Sequence, residues 1–270
     1  MPDFARLAAI GRARPLIHCV SNIVTANDCA NLALAVGASP MMAQAPEEMA
    51  EITAVSAASV LNTGTPSAEK FQSCLICCTE AEKRGTPVVL DPVGVGASAW
   101  RLRWAGELLA ASAPAILRVN LGEAQALLRL GSREHGVDSL AAADASERLA
   151  LARALARRYR TAVLLSGPED IASDGTAAFR VTGGSGRMAQ VTGAGCMLSV
   201  LCGAFAAVEP DALSAAVLAS AFWKVCSHRA EQSAAGMGTA SFRTALLDAA
   251  SLLAPEDFAA EAAPLIRAVD

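Results

Sequence analysis

Lysine is scarce in this 270-residue chain, with Lys70, Lys83 and Lys224 the only three. None follows a glycine, so no GxxxxGK[ST] phosphate loop exists. There is also no basic run, and the net charge is -4 with a pI near 5.5. A surface for the phosphate backbone of nucleic acid is therefore missing, and a small-molecule partner fits better. The N-terminal MPDFARLAAIGRARP intersperses charges among its apolar residues and lacks the apolar core of a secretory leader, which predicts a cytoplasmic protein.

Charge is absent between Arg187 and Glu209, which raises the question of a membrane span. That stretch carries Gln190, Thr192, Ser199 and several glycines, and its apolar part falls short of the roughly 20 residues a span requires. It reads as a helix buried on most sides. No GxSxG nucleophile elbow occurs, and Gly193-Ala194-Gly195 lacks the third glycine of the dinucleotide fingerprint. Cys74, Cys77 and Cys78 have no second Cys or His pair nearby and share helical spacing with Phe71, Leu75 and Ala81, which favours core packing over a metal site. The eight cysteines read as free thiols.

What is present is a 53% hydrophobic composition, enough for a sizeable core. Apolar strand-like runs recur at 15–20, 59–62, 87–93, 115–120 and 161–167, with helical patterns between them. This βαβ rhythm predicts an α/β fold with a mostly parallel sheet covered on both faces. No repeat or compositional break divides the chain, so residues 1–270 read as a single domain. A short strand is expected at 41–43, an N-cap at Thr65, a linker from 138 running into a helix that ends at 159, and a hairpin turning at Asp174-Gly175.

The stretch that organises the chain is 183–208, where GGSGRMAQVTGAGC leads into MLSVLCGAFAAV. Small residues at 193–195 let an anion approach the main chain, and the following helix turns its positive end toward it. Cys196 falls in the first turn, where a thiol ionises most easily; it reads equally as a small core residue. His18 alternates into the first strand and reads as a core histidine. Asp91 ends a buried strand, so it needs a partner: a Mg²⁺, a substrate hydroxyl or a cap on the next helix. Asn120 and Glu123 stand three apart at a helix start, where they form a capping box or present oxygens to a hydrated metal.

The segments SNIVTAN, GASPMM, LNTGT, LDPVGVGA, RVNLGE, LLSG, VTGAGCML and TASFRTALLDA together resemble the hydroxyethylthiazole kinase family, in that family's order. The resemblance spans residues 15–248 and implies a ribokinase-like fold, with a central, mostly parallel sheet flanked by helices. It further implies a homotrimer with interfacial sites, and transfer of the ATP γ-phosphate to the hydroxyl of 4-methyl-5-(2-hydroxyethyl)thiazole in thiamine biosynthesis or salvage. By the same resemblance Cys196 is the catalytic residue; Asn22, Met42 and Gly193 bind the alcohol; Arg118 and Ser166 contact ATP; and Asp91, Asn120 and Glu123 organise Mg²⁺. Val119 stands where a glycine is usual in the family. The rival readings are a ribokinase-like kinase of another small alcohol, such as a hydroxymethylpyrimidine, a ligand-binding relative without catalysis, and a cysteine-dependent hydrolase.

Overall fold

The apolar runs become adjacent strands because each is too short and too apolar to be stable except between two covering layers. The structure, a computed structural model, describes residues 2–129 and 144–269. Its strands are β1 (Leu16–Val20), β2 (Ser39–Met41), β3 (Ala58–Asn62), β4 (Val88–Asp91), β5 (Ile116–Asn120), β6 (Ala162–Ser166), β7 (Asp170–Ser173), β8 (Ala178–Val181) and β9 (Ile266–Ala268). They form one sheet in the order β2-β1-β3-β4-β5-β6-β7-β8-β9. The first six run parallel, and β7, β8 and β9 extend the edge antiparallel.

The helices are α1 (Arg6–Ala13), α2 (Ala26–Ala35), α3 (Met49–Val55), α4 (Ala68–Arg84), α5 (Ala99–Ala111), α6 (Leu121–Arg129), α7 (Ala145–Tyr159), α8 (Ala194–Ala206), α9 (Ala212–Ser233), α10 (Thr239–Leu252) and α11 (Pro255–Ala262). Strand alternation sorts the core into two layers. Ile17, Val60, Val89, Ile116 and Leu164 pack with α1, α2 and α8 to α11. Their neighbours Val20, Leu61, Leu90, Leu117 and Val163 pack with α3 to α7. The uncharged stretch becomes α8, in which the eleven residues from Cys196 to Ala206 are all buried. Among the described residues no helix is long and apolar enough to cross a membrane.

Several expectations hold. Cys74, Cys77 and Cys78 are buried in the second core layer. His18 is fully buried, and its Nε2 lies 3.1 Å from the Ala43 carbonyl. Burial pushes its pKa down, so the ring is neutral and donates from Nε2. The hairpin turns at Asp174, whose Oδ1 accepts from the amides of Thr176 and Ala177 at 2.8 Å.

Other expectations are corrected. The N-cap of α4 is Ser67, whose Oγ accepts from the Lys70 amide at 3.1 Å, and not Thr65. Thr65 has φ +45°, and its Oγ1 instead accepts from the Ile23 amide at 3.2 Å. The second strand is Ser39–Met41, ending before Met42. The helix after the expected linker is capped by Asp144 and Glu147 in a reciprocal box, whereas residues 138–143 lie outside the described residues. The strand β9 was not legible in an alanine-rich tail, because three residues carry no period of their own.

Helix α8 lies so close to β3 that a Cβ at Gly203 would stand 2.6 Å from Val60 Cγ2. Gly203→Val is expected to cost about 1–3 kcal/mol, the usual penalty of overpacking, measured as a lowered urea midpoint with unchanged slope.

Candidate active site

Parallel register brings the polar strand ends together. Asn62 pairs with Asp91, and Asn120 with Ser166. Arg118 follows the Leu90–Leu117 pair by one residue. Because side chains alternate, Asn62, Asp91, Arg118 and Ser166 all lie on the α8 side of the sheet, at its carboxyl edge. Open α/β sheets bind ligands at this edge.

The Asp91 carboxylate is fully buried and its partner is Arg118, a possibility the sequence reading did not include. Arg118 NH1 donates to Asp91 Oδ1 at 3.0 Å. Asp91 Oδ2 accepts from Asn62 Nδ2 at 2.9 Å and from Ser199 Oγ at 2.7 Å. Arg118 NH2 also donates to Ser166 Oγ at 3.1 Å, joining β4, β5, β6 and α8 in one network. Burial pushes the Asp91 carboxyl up to about 6, opposed by the Arg118 charge, and the nearby Glu123 raises it further.

The glycine-rich stretch meets this network by close approach. Gly193 caps α8 at φ +87°, and a Cβ there would lie 2.4 Å from Thr25 Cγ2. At Gly195 a Cβ would fall 2.2 Å from Arg118 NH2. Only glycine lets the helix end reach the guanidinium. The Ala194 amide turns back to the Val191 carbonyl at 3.3 Å, and the first helical bond runs from Met197 to Gly193 at 2.8 Å. The amides of Gly195 and Cys196 therefore precede the helical ladder and form the anion-facing end.

One cavity opens at this helix end, and a second lies along the loop leaving β1. The first, about 490 Å³, is lined by Arg118, Ser166, Gly184, Gly195, Trp223 and Lys224, among others. The second, about 310 Å³, is lined by Cys19, Ser21, Ile23, Met42 and Thr65, among others. Asn22 sits between Ser21 and Ile23, and its Nδ2 donates to Cys196 Sγ at 3.3 Å. That contact joins the wall of the second cavity to the helix end at the first.

The expected easy ionisation of Cys196 is overturned. Burial raises its thiol pKa, and the Asp91 charge raises it again; hydrogen bonds from Thr25 and Asn62 and the Arg118 charge oppose these without prevailing. The helix end alone does not decide a thiol that sits in a dry site beside a carboxylate.

Asn120 and Glu123 form the capping box. Glu123 Oε2 accepts from the Asn120 amide at 2.8 Å, and Asn120 Oδ1 from the Glu123 amide at 2.9 Å. Glu123 Oε1 accepts from the Gly94 amide at 2.9 Å, which ties the GVGA loop to α6. A carboxylate offers about four lone-pair sites. Glu123 uses two in these bonds, so its oxygens and that of Asn120 remain chemically suited to the water shell of a hard cation. Among the described residues no three His, Cys, Asp or Glu side chains form a ready metal cluster. Val119 continues β5 in register with Leu165 and is buried in the second core layer.

Sequence reasoning missed Asn62, Thr25 and Ser199. Asn62 was findable, since LNTGT ends a strand as LDPVG does. Ser199 lies one helical turn after Cys196, but nothing in that spacing points to Asp91, 108 positions away.

The fold is ribokinase-like. A ribokinase-like superfamily protein from Enterococcus faecalis superposes with a TM-score of 0.55, at 13% identity, over 87% of this chain and 86% of its own. More particularly, residues 7–256 match the model of the hydroxyethylthiazole kinase family, and the chain belongs to that family. A hydroxyethylthiazole kinase from Listeria monocytogenes is 42% identical over 249 residues, 92% of each chain. The solved hydroxyethylthiazole kinase protein from Pyrococcus horikoshii superposes with a TM-score of 0.88 at 34% identity, over 99% of this chain and 98% of its own.

Removing Arg118 would leave a buried unpaired charge. Arg118→Met is expected to lose about 3–5 kcal/mol of stability at about pH 8, read from denaturant unfolding. Without its partner, Asp91 has a folded pKa still further above its unfolded value, so folding favours the protonated form. The deficit relative to the wild type should shrink as the pH falls from about 8 toward about 6 and change little below that, where Asp91 is protonated in both proteins.

Proposed function

We propose that this chain phosphorylates 4-methyl-5-(2-hydroxyethyl)thiazole with ATP, as a single kinase domain of residues 1–270 in a cytoplasmic homotrimer. The observation that carries the reading is the 3.3 Å contact of Asn22 with Cys196, which links the loop lining the second cavity to the α8 start beside the first. The first cavity suits the nucleotide, with Arg118 toward its phosphates and Ser166 toward its nucleoside side. The second suits the thiazole, against Met42 and beside Asn22. Ile23 and Val24, next to it, are 83% and 64% exposed, which favours closure of that cavity by another copy of the chain.

Phosphoryl transfer demands placement and charge neutralisation more than covalent chemistry. The alcohol oxygen bonds to the γ-phosphorus as the bond to the leaving ADP oxygen breaks. Arg118 offsets charge on the phosphates, and the Gly195 and Cys196 amides stabilise charge on the group in flight. Mg²⁺ would be held through its water shell by the oxygens of Asn120 and Glu123, with the buried Asp91 acting on it by charge, and would supply further neutralisation. In a loose transition state the hydroxyl proton leaves late and passes to an oxygen of the transferred phosphoryl group, so the neutral Cys196 thiol serves to orient the hydroxyl rather than to take its proton. Gly193 lets Thr25 pack against the start of α8, and its main chain faces the hydroxyl there.

The test is ADP release by the purified protein with Mg-ATP, comparing the hydroxyethylthiazole, a hydroxymethylpyrimidine and no acceptor, each with and without EDTA. Metal-dependent release with the thiazole alone is expected. Release with the pyrimidine instead would overturn the substrate, and ATP binding without release would favour a non-catalytic relative. Cys196→Ala should lower kcat about 10²-fold or more while ATP binding survives, and Cys196→Asp should keep substantial turnover. Unchanged turnover in the alanine variant would remove Cys196 from the mechanism. Glu123→Gln should raise the Mg²⁺ concentration needed for half-maximal rate, whereas an unchanged requirement would leave Glu123 as a cap only.

A further inference from the structure

Lys70 is one of three lysines in the chain and is 2% exposed, in the first turn of α4. This is a costly place for a cation. The helix start is itself positive, and burial strips the ammonium of water. Among the described residues no carboxylate lies within ion-pair distance, and the ammonium donates to backbone carbonyls, at 2.7 Å to Ser21 and 2.7 Å to Gly64. Burial pushes its pKa down to about 8; Cys74, Cys196 and Asp91 oppose this, and Arg101 lowers it further. A residue kept under these costs has a use that packing does not supply.

Ser21 and Gly64 belong to different loops, those leaving β1 and β3, and each adjoins a site residue. Ser21 precedes Asn22, and a Cβ on Gly64 would stand 2.9 Å from the Asn22 side chain. The loops otherwise meet through the Asn22 to Asn62 bond at 3.4 Å and the Ile23 to Thr65 bond at 3.2 Å. The two Lys70 bonds are the shorter ones. Ser21, Ile23 and Thr65 line the second cavity.

We propose that Lys70 is a positioning residue for the acceptor alcohol: its ammonium staples the two loops together and so holds the Asn22 amide on Cys196 and the acceptor cavity in shape. The proposal rests on the reading of that cavity as the acceptor site. Lys70 touches neither nucleotide nor reacting atoms, and acts through Asn22.

The test compares Lys70→Met, Asn22→Ala and the double variant in the full-length protein. Lys70→Met is expected to raise the acceptor KM about tenfold and lower kcat, with the ATP KM unchanged. The double variant should be no worse than the poorer single one, because both changes break one linkage. A second readout does not need turnover: alkylation of Cys196 by iodoacetamide, located by peptide mass spectrometry, should speed up several-fold in both single variants. Equal rises in both KM values, additive losses, or an unchanged acceptor KM with unchanged alkylation would overturn the proposal. If Lys70→Met does not fold, Lys70→Gln keeps an amide donor and is expected to give the same split at smaller size; an unsplit result there overturns it equally. Absence of wild-type turnover with any acceptor would sink the functional reading, while faster alkylation would still uphold the staple.

Discussion

The burial of one carboxylate, Asp91, against one guanidinium, Arg118, is the constraint on which the site depends. A fully buried charge pair contributes little net stability, since desolvation consumes most of the attraction. What it does impose is geometry. To keep both charges satisfied, β3 must bring Asn62, β6 must bring Ser166 and α8 must bring Ser199 into the same few ångströms. The glycines at 193 and 195 follow from that demand, because any side chain there would strike Thr25 or the guanidinium.

The same pair sets the electrostatics at the helix end. A helix N-terminus favours negative charge and so would favour a thiolate at Cys196. But the Asp91 charge already stands beside it in a dry site, and the thiol stays protonated. An incoming phosphate is better placed than a thiolate, since it meets Arg118 and the α8 amides together. The helix end and Arg118 thus suit an anion, and in the proposed reaction the hydroxyl held by Asn22 and Cys196 would face it from the other cavity.

Much of this was legible in the chain. The βαβ rhythm, the two-faced burial of the strands and the buried character of α8 follow from apolar periodicity, and the motifs mark the carboxyl edge of the sheet. Less legible were features that turn on a single hydroxyl or a short segment. Thr65 and Ser67 offer the same capping chemistry, and only the loop from β1, which claims the Thr65 hydroxyl, decides between them. Likewise β9 exists only because β8 presents an edge to pair with.

The sequence by itself determined the fold class, the order of the elements and the identity of the polar residues at the strand ends, because periodicity and turn chemistry are local. The tertiary structure alone decided who partners whom: Arg118 for Asp91, a capping box for Asn120 and Glu123, backbone carbonyls for Lys70, and a protonated state for Cys196. Those outcomes depend on burial and on charges brought from elements far apart in the chain, and neither is encoded in any short stretch of residues.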